Sequence, residues 1–437
     1  MLAVRLVTRV VPDLAGVDPA QWDALDHGPS PFTEHGFLRA LELSGSVGPG
    51  TGWEPHYVLV EAEPEDPSAE DAGSPSQGRT LVGAVAAYRK DHSYGEYIFD
   101  FGWARACMRA GLPYYPKLVV AAPVTPATGR RILLSPSLAP SERVAIEAAL
   151  VEGVRTVADQ LDCSSVHWLF CSASEHGRLA EAGFCPRASF QFHWRNHGYA
   201  DFDAFLATLS SRKRKQIRKE RARALAAVDG PVEFVPAAEW TRHDIARLES
   251  FYRRTCYAHG NEGYLTPELF ELLPRMMPQR ARFVRVRRAG QIVAGALCFQ
   301  TEHALYGRYW GCCEEIPFLH FEVAYYAGIE HCIREGLPLF EAGAQGEHKL
   351  LRGFMPAPTF SNHWMRHPGL HEGVERFLRG EAMEVGQYMG QLARFSPYRK
   401  DDDGRPLPLP DERPSMGEVG EAGEQAASRG DDAIELG

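Results

Sequence analysis

Hydrophobic and polar positions follow two periods along this chain, and the elements that they predict occur in an order that is found twice. Alternating or short apolar runs predict strands, and apolar positions three or four residues apart predict helices. In the first half the predicted strands are 2–11, 56–62, 79–88, 96–101, 165–170 and 189–194, and the predicted helices are 31–43, 140–161 and 175–182.

The second half repeats this plan. Its predicted strands are 232–236, 281–287, 292–301, 304–312, 339–342 and 359–364, and its predicted helices are 242–257, 267–277, 320–335 and 370–392. Antiparallel strands that are followed by a crossover helix and a further strand are typical of the acetyltransferase (GNAT) fold. We therefore predict an α/β chain of two tandem GNAT-like domains, 1–196 and 197–400, with mixed sheets and flanking helices.

Composition narrows the class of protein. The chain has 437 residues, of which 44% are hydrophobic and 24% charged, which suits two globular domains and excludes collagen, coiled coil and wholesale disorder. It has no signal-peptide pattern and no uncharged apolar run of about 18 residues, so we expect a cytoplasmic protein without a transmembrane segment. Its nine cysteines lack CxxC spacing, and HxH and HExxH spacings are absent. We expect buried thiols and no metal.

The net charge of −10 is unevenly distributed. Residues 401–437 carry −8 and residues 61–78 carry −6, so the rest of the chain carries +4. Residues 63–78 contain no aromatic or β-branched residue and predict a disordered acidic insert between two strands, and 401–437 predict a disordered acidic tail. The remaining, mildly basic part is compatible with a polyanionic substrate.

The strongest charge feature lies between the two halves. Residues 210–223 hold eight arginines and lysines against one acid, Glu220, and a serine at their start can cap a helix. Like charges at this density repel one another unless a polyanion approaches. This basic helix is either a solvated connection or a binding site for the phosphates of RNA or of a nucleotide-linked lipid or sugar. The predicted phosphate- or nucleic-acid-binding residues are Arg212, Lys213, Arg214, Lys215, Arg218 and Lys219.

A glycine-rich turn carries the candidate catalytic residues. Residues 343–353 follow a predicted buried strand and combine three glycines with four ionisable side chains. Glu347 or His348 can act as a general base toward an amine, and the sequence does not rank one above the other. Lys349 and Arg352 can hold a phosphate or stabilise an oxyanion. The alternative is a structural turn with surface charges. Glu347, His348 and Lys349 are the predicted catalytic residues.

Other segments contribute candidate substrate-binding residues. Alternation along strand 304–310 places Tyr306, Arg308 and Trp310 on one face, where the arginine can bind an anion between two aromatic rings, unless this is an ordinary strand. Prolines in loop 111–117 hold two tyrosines rigidly, either in an acceptor groove or in a packed loop. The predicted substrate-binding residues are Arg308, Tyr309, Trp310, His320, Glu322, Gln345, Arg352, Tyr114, Tyr115 and Lys117.

The pyrophosphate loop of acyl-CoA-dependent GNAT enzymes has no match. That loop reads Q/R-x-x-G-x-G/A at the start of a helix, where backbone N–H groups hold the phosphates. At the corresponding place this chain has Glu314 and Glu315, which would repel a pyrophosphate. This composition argues against an ordinary acetyl-CoA site there.

Several longer motifs resemble a known family. The runs SSRKRKQIRKER, GRYWG, LHFE, GAQGEHKLLRGFMP, GLPYYPKLV and TPATGRR resemble the peptidoglycan biosynthesis/recognition family of predicted N-acyltransferases over about residues 30–398. That family is similar to the Fem-type aminoacyl transferases, which use two GNAT-like domains and aminoacyl-tRNA to extend peptidoglycan stem peptides. The long coiled-coil insertion of some Fem enzymes is absent here.

The resemblance implies transfer of an acyl or aminoacyl group to an amine acceptor, a small molecule or peptide that could be a peptidoglycan precursor. The co-substrate would be acyl-CoA or aminoacyl-tRNA, with tRNA as a possible partner and without a tightly bound cofactor. The alternative is a non-catalytic binding module for a cell-wall precursor or RNA.

Overall fold

The first half of the chain folds into strands and helices close to those that the pattern predicts. The computed structural model describes residues 4–64, 79–344, 346–402, 407 and 409. The strands are β1 (Val4–Val11), β2 (Glu54–Pro64), β3 (Thr80–Lys90), β4 (Lys117–Val120), β5 (Leu133–Leu134), β6 (Ser165–Cys171) and β7 (Cys185–Arg195). The helices are α1 (Pro19–Asp23), α2 (His35–Leu43), α3 (Phe101–Arg109), α4 (Pro140–Gln160) and α5 (Ala173–Glu181).

The second half repeats the order of elements. Its strands are β8 (Asp229–Pro236), β9 (Ala281–Arg288), β10 (Gln291–Gln300), β11 (Ala304–Cys312), β12 (Leu339–Glu341) and β13 (Met355–Met365). Its helices are α6 (Phe202–Ala207), α7 (Ser211–Leu225), α8 (Arg242–Ala258), α9 (Pro267–Met276), α10 (Leu319–Phe321), α11 (Ala327–Arg334) and α12 (Pro368–Arg394). A π-helical turn, Glu322–Tyr326, joins α10 to α11, and a 3₁₀ helix, Glu347–Arg352, lies between β12 and β13.

Each half contains the crossover connection between parallel strands that the element order predicts. In the first half β4 and β6 are parallel neighbours joined through α4, and in the second half β11 and β12 are parallel neighbours joined through α11. Antiparallel strands precede both crossovers. The predicted α/β class, with tandem GNAT-like halves and flanking helices, is confirmed.

The two halves share one sheet, in which they exchange their last strands. The hydrogen-bonded order is β1-β2-β3-β4-β6-β13-β7-β12-β11-β10-β9-β8, with β5 beside β3. Strand β13 of the second half therefore pairs with β6 of the first, and β7 of the first pairs with β12 of the second. At the centre, β7 and β13 form nine antiparallel residue pairs. The sheet runs without a break across the predicted domain boundary.

Strand β13 begins earlier than predicted. The predicted strand starts at Thr359, after two prolines, Pro356 and Pro358, which have no N–H to donate to a neighbouring strand. In the structure β13 starts at Met355, but it pairs with β6 only from Phe360 onward. The two prolines therefore lie where β13 has a neighbour on one side only.

The helices cover the two faces of the sheet. One apolar core is shared by both halves and includes side chains of α1, α2, α8 and α9. On the other face α4 and α5 cover the first half, and α6, α7 and α11 cover the second. Phe32 of the first half makes edge-to-face contacts with Phe299 and Tyr306 of the second, at centroid distances of 5.1 and 5.2 Å. These contacts join the halves through side chains as well as through the sheet.

The predicted strand 96–101 is wrong. Residues 96–100 form a loop, and helix α3, which the pattern did not predict, begins at Phe101. Tyr97 has φ 58°, which breaks an extended backbone. Glu96 and Asp100 point inward, as strand alternation suggests, but they do so because both carboxylates form ion pairs with buried Lys117. The alternation of buried and exposed residues in this segment therefore arises from ion pairs that hold a loop, and not from a strand.

The two predicted disordered segments fall mostly outside the described residues. Of the acidic insert at 63–78, only Glu63 and Pro64 are described, and they are the end of β2. Of the tail at 401–437, only residues 401, 402, 407 and 409 are described. Leu409 packs against the core of the second half, and the Leu407 N–H donates to the Arg399 carbonyl at 2.9 Å. The start of this segment is therefore in contact with the fold.

We predict that neither half folds alone. Residues 1–196 expressed separately would leave both edges of β7 without a neighbour, and residues 197–437 would leave β13 in the same state. Neither fragment should show a cooperative thermal transition by circular dichroism, whereas co-expressed fragments should purify as a complex. A cooperative transition in one isolated half would contradict the role given to strand exchange.

Candidate functional site

The parallel strands β11 and β12 separate after a short paired stretch. Pairing ends where Tyr306 faces Glu341. A Cβ atom added to Gly307 would lie 3.4 Å from the Ala342 backbone, and Gly343 has φ 84°. Glycine therefore suits the place where the two chains part, because a side chain would enter the opening or strain the backbone. This opening is the start of the candidate site.

A bulge in β11 changes which side chains share a face. Successive residues of β10 lie opposite Tyr309 and Gly307, so Arg308 is the extra residue of the bulge. Tyr306 and Tyr309 pack against the core that both halves share, whereas Trp310 packs on the opposite face. The predicted common face of Tyr306, Arg308 and Trp310 is wrong, because strict alternation does not continue through a bulge.

Arg308 and Tyr309 connect the second half to the first. The Arg308 guanidinium donates to the Val124 carbonyl at 2.6 Å, and the Tyr309 hydroxyl lies 3.5 Å from the same oxygen. The ring of Tyr309 also packs edge-on against Tyr252 at 4.7 Å. Both side chains therefore have structural partners at the junction of the halves.

The two candidate bases of the turn point to different neighbours. Glu347 is exposed, and its carboxylate accepts a hydrogen bond from Tyr388 of α12 at 2.6 Å. His348 Nε2 lies 2.8 Å from the Tyr325 hydroxyl, which comes from the π-helical turn of the crossover. Partial burial lowers the pKa of His348, and neighbouring Arg352 lowers it further. Both effects favour the neutral form of His348.

Lys349 is a buried cation without an anionic partner. Its side chain is 1% exposed, and its ammonium donates to the Gly343 carbonyl at 2.6 Å. No described carboxylate lies within ion-pair distance, and burial lowers the pKa of Lys349 to about 7. A buried ammonium of this kind is stabilised when an anion binds beside it.

Arg352 joins the turn to the basic helix α7. Its guanidinium donates to the Glu220 carboxylate at 3.1 Å and lies 3.4 Å over the Phe321 ring. Glu220 is buried and also accepts from the Tyr326 hydroxyl. Glu220, the single acid of the basic run, therefore docks α7 against the turn. The sequence alone does not show this role. The structure brings together two segments that lie more than a hundred residues apart.

The other cations of α7 divide by their partners. Arg218 forms an ion pair with Asp203 at 2.8 Å. None of the other predicted phosphate-binding residues of this helix pairs with a carboxylate among the described residues. Lys213 donates to Gln216, Arg214 donates to Ser211, and Arg212, Lys215 and Lys219 are exposed. Most of the predicted positive charge of α7 is thus available to a ligand.

Aromatic rings and a second histidine surround His348. The His320 ring lies 5.1 Å from Trp310 and 6.0 Å from His348, and Tyr325 and Phe321 lie on the same side. Burial lowers the pKa of His320 to about 4, and the neighbouring cations act in the same direction. The structure therefore brings together four of the residues that the sequence predicts to bind substrate or act in catalysis: Trp310, His320, His348 and Arg352.

Glu322 does not join this group. Its carboxylate is fully buried and accepts three hydrogen bonds from Arg221 at 2.9–3.2 Å. Burial raises the pKa of Glu322, while Arg221 opposes that rise. The glutamate therefore ties the crossover helix to α7. Gln345, another predicted substrate-binding residue, lies outside the described residues.

The candidate residues of the first half lie elsewhere. Lys117 is fully buried, and its ammonium is ion-paired with Glu96 at 2.8 Å and with Asp100. Tyr114 donates to Asp100 at 2.5 Å, and Tyr115 packs edge-on against Tyr114. No hydrogen bond, ion pair or ring contact among the described residues joins Tyr114, Tyr115 or Lys117 to the turn.

Sequence reasoning missed Glu341 and His193 at the strand opening. They are cross-strand partners on β12 and β7, with 3.8 Å between the Glu341 carboxyl and His193 Nε2. Burial raises the pKa of Glu341 to about 8 and lowers that of His193 to about 3. An acid at the end of a short apolar strand, directly before a glycine-containing turn, is the signal that would have identified Glu341.

A groove leads to the turn from the first half. A cavity of about 120 Å³ is lined by Tyr97 and Phe99 of the loop before α3, by Phe190 and Gln191 of β7, and by Ala344 of the turn. It lies between the two halves, where pockets of multidomain proteins are often found. None of the helices among the described residues has the length and apolar character to cross a bilayer.

The family model described as peptidoglycan biosynthesis/recognition, FemAB-like, matches residues 13–400. The chain belongs to the FemAB-like family. A search of curated proteins gave no match. The FemAB-like match spans both halves, the basic helix and the turn.

This FemAB-like chain is also similar to several solved structures. FemX is 10% identical with a TM-score of 0.48, covering 82% of this chain and 97% of FemX. A tandem GNAT protein from the clavulanic acid biosynthesis pathway is 14% identical with a TM-score of 0.39, covering 83% and 99%. L-PGS from Bacillus licheniformis is 11% identical with a TM-score of 0.41, covering 68% and 86%.

We predict that Lys349→Met stabilises this FemAB-like protein. The pKa of Lys349 is about 7 when folded and ordinarily 10.5, so the unfolded chain binds the additional proton between these values. The free energy of unfolding of the parent therefore decreases as the pH falls from 10.5 to 7. Methionine cannot be protonated, so the variant does not show this decrease. At pH 7 the free energy of unfolding should rise by on the order of 4 kcal/mol, and nearly all of the gain should vanish by pH 10.5.

Chemical denaturation at several pH values measures this difference. Lys117→Met is the matched control, because it removes a buried lysine that has two carboxylate partners and should destabilise the protein at pH 7. A Lys349→Met variant no more stable than the parent at pH 7 would show that the lysine has a compensating partner.

Proposed function

We propose that this protein forms an amide bond by transferring an acyl or aminoacyl group from an activated donor to an amine of a peptidoglycan precursor. The observation that carries the proposal is that His348, hydrogen-bonded to Tyr325, and buried Lys349, which has no carboxylate partner among the described residues, are adjacent in the turn beside the opening between β11 and β12. Membership of the FemAB-like family supports transferase chemistry of this class.

His348 is the proposed general base. If its Nε2–H donates to the Tyr325 oxygen, Nδ1 keeps a free lone pair that can accept a proton from the attacking amine. The amine nitrogen forms the new N–C bond, and the electron pair of the carbonyl moves to its oxygen. Collapse of this intermediate breaks the donor C–O or C–S bond, and the leaving group takes the proton from His348. Glu347 is the weaker candidate, because its carboxylate is engaged by Tyr388.

Lys349 is the proposed anion-binding catalytic group. Its ammonium uses one proton on Gly343, which leaves two donors for a developing oxyanion or a donor phosphate. An anion at this place raises the pKa of the lysine and removes the cost of its burial. Arg352, held by Glu220, adds positive charge beside it.

Aminoacyl-tRNA is the proposed donor, with acyl-CoA as the second candidate. The basic helix α7 is packed on the turn through Arg352 and Glu220, so phosphodiesters bound along it would end beside His348. The loop where an acyl-CoA pyrophosphate would bind carries Glu314 and Glu315, and Glu314 is paired with Arg288. Excess positive charge favours a polyanion, and the two carboxylates disfavour a pyrophosphate.

The groove between Phe99, Phe190 and Ala344 is the proposed path of the amine acceptor. It reaches the turn at Ala344, four residues before His348, and none of the residues that line it belongs to α7. Thermal shift with CoA, aminoacyl-tRNA and a UDP-linked muropeptide compares the candidate ligands directly. Binding of the muropeptide without turnover by any donor would favour a recognition module.

We predict that His348→Gln lowers turnover by about 10²–10³-fold, since it removes the general base. Glu347→Gln is the matched control and should stay within a few-fold of the parent. In the parent, kcat/KM should fall at acidic pH, where His348 becomes protonated with a pKa below its ordinary value of 6.5. It should fall again above about pH 7, where Lys349 loses its proton. His348→Gln should lose the acidic limb only. Equal losses in both variants would exclude the assignment of the base.

We predict that replacing Lys213, Lys215 and Lys219 with alanine weakens tRNA binding and reduces its salt dependence. Each lost phosphate contact should lower the slope of log affinity against log salt by about 0.7–0.9. Arg218→Ala is the control in the same helix, because its guanidinium is already paired with Asp203, and it should change the slope least. An unchanged slope in the triple variant would show that α7 does not contact phosphate.

A further inference from the structure

An exposed aromatic patch lies beside the mouth of the groove. We define the aromatic patch as Tyr94, Phe99, Phe101 and Met108, whose exposed fractions range from 37% for Phe101 to 74% for Met108. The Tyr94 and Phe101 rings are 6.2 Å apart, and those of Phe99 and Phe101 are 6.4 Å apart. Met108 lies seven residues after Phe101, on the same side of α3. Contiguous exposed apolar surface of this kind marks an interaction site.

The patch is held rigidly by buried ion pairs. The loop before α3 is anchored by Glu96 and Asp100, both paired with Lys117. The Lys90 ammonium also donates to the Tyr94 carbonyl at 3.2 Å. The loop is therefore fixed from inside, while its aromatic rings face outward. Their exposure is a stable feature of the fold.

Cations accompany the apolar side chains. Helix α3 contains no acidic residue, and its exposed Arg105 and Arg109 have no described partner. The acids of the preceding loop are not free to pair with these arginines, because Glu96 and Asp100 are buried and Asp91 is paired with Arg89. The surface thus combines aromatic rings, a flexible thioether and unpaired arginines.

We propose that the aromatic patch and the two arginines of α3 dock the protein peripherally on an anionic lipid bilayer. Aromatic side chains favour the headgroup region of a bilayer, and arginines bind the lipid phosphates. The charge of α3 is complementary to such a surface. The orientation follows, because Phe99 belongs both to the patch and to the groove that ends at Ala344. Docking would place the mouth of the groove at the lipid surface, and only this last step rests on the proposed function.

Sedimentation with vesicles tests the proposal on the full chain. The parent should bind vesicles of phosphatidylglycerol more strongly than vesicles of phosphatidylcholine, and added salt should weaken the binding. The triple variant Tyr94→Ser, Phe101→Ser, Met108→Ser should lower the partition coefficient by at least about tenfold. Arg105→Ala with Arg109→Ala should remove most of the preference for anionic lipid.

A matched control is Tyr257→Ser, which removes an aromatic side chain of similar exposure, 70%, from α8. It should bind vesicles like the parent. Unchanged melting temperatures would show that the patch variants remain folded. Equal partitioning of parent and patch variants would overturn the proposal, and so would a parent that does not bind anionic vesicles. Concentration-dependent dimerisation that the triple variant abolishes, without vesicle binding, would assign the patch to a second copy of the chain instead.

The experiment separates this proposal from the proposed function. The patch variant should keep parental turnover with a water-soluble acceptor, since none of its three substituted residues lines the site. Lys349→Ala should lose turnover and still bind vesicles. Vesicle binding without any transferase activity would leave the docking surface in place and reject the reaction, whereas activity without vesicle binding would do the reverse.

Discussion

Antiparallel pairing of β7 with β13 is the interaction on which the rest of this structure depends. Each strand is the last of its own half along the chain, yet both of its neighbours in the sheet belong to the other half. Backbone groups of the central sheet are satisfied only when both halves are present. The opening beside β12 is therefore built on a strand whose other neighbour comes from the first half. The candidate site is a property of the pair of halves, although most of its side chains come from the second.

Two buried lysines show how charge is used differently in the two halves. Lys117 is balanced by Glu96 and Asp100, and this triad holds a loop and the start of α3 in position. Among the described residues Lys349 has the Gly343 carbonyl as its hydrogen-bond partner and no carboxylate, and burial lowers its pKa. The ion pairs of Lys117 stabilise the fold. Burial of the Lys349 ammonium costs free energy, which binding of an anionic ligand would recover. The same residue type in the same degree of burial thus has a structural role in one half and a proposed catalytic role in the other.

The basic helix illustrates how one acid organises many cations. Glu220 is the only carboxylate in a run of eight basic residues, and it binds Arg352 and Tyr326 inside the protein. Its burial turns the other face of α7 toward solvent, where most of the cations lack carboxylate partners among the described residues. A positively charged surface and the turn with His348 are thereby parts of one region. In the proposed reaction this region would receive the polyanionic donor, and the groove from the first half would receive the amine acceptor.

Hydrophobic periodicity and the density of glycine and charge are local properties, so the repeated α/β plan, the crossover helices and the segments of the candidate site could be predicted from the sequence. Residues 347–349 and the basic helix were among those segments. The folded structure alone shows that the halves exchange strands, since pairing partners far apart in the chain leave no local signal. It likewise decided that a bulge separates Arg308 from Trp310, that Glu322 is committed to Arg221, and that Glu220 joins α7 to the turn. An ionisable side chain acquires its role from whether a partner of opposite charge is folded against it, and that depends on contacts between distant parts of the chain.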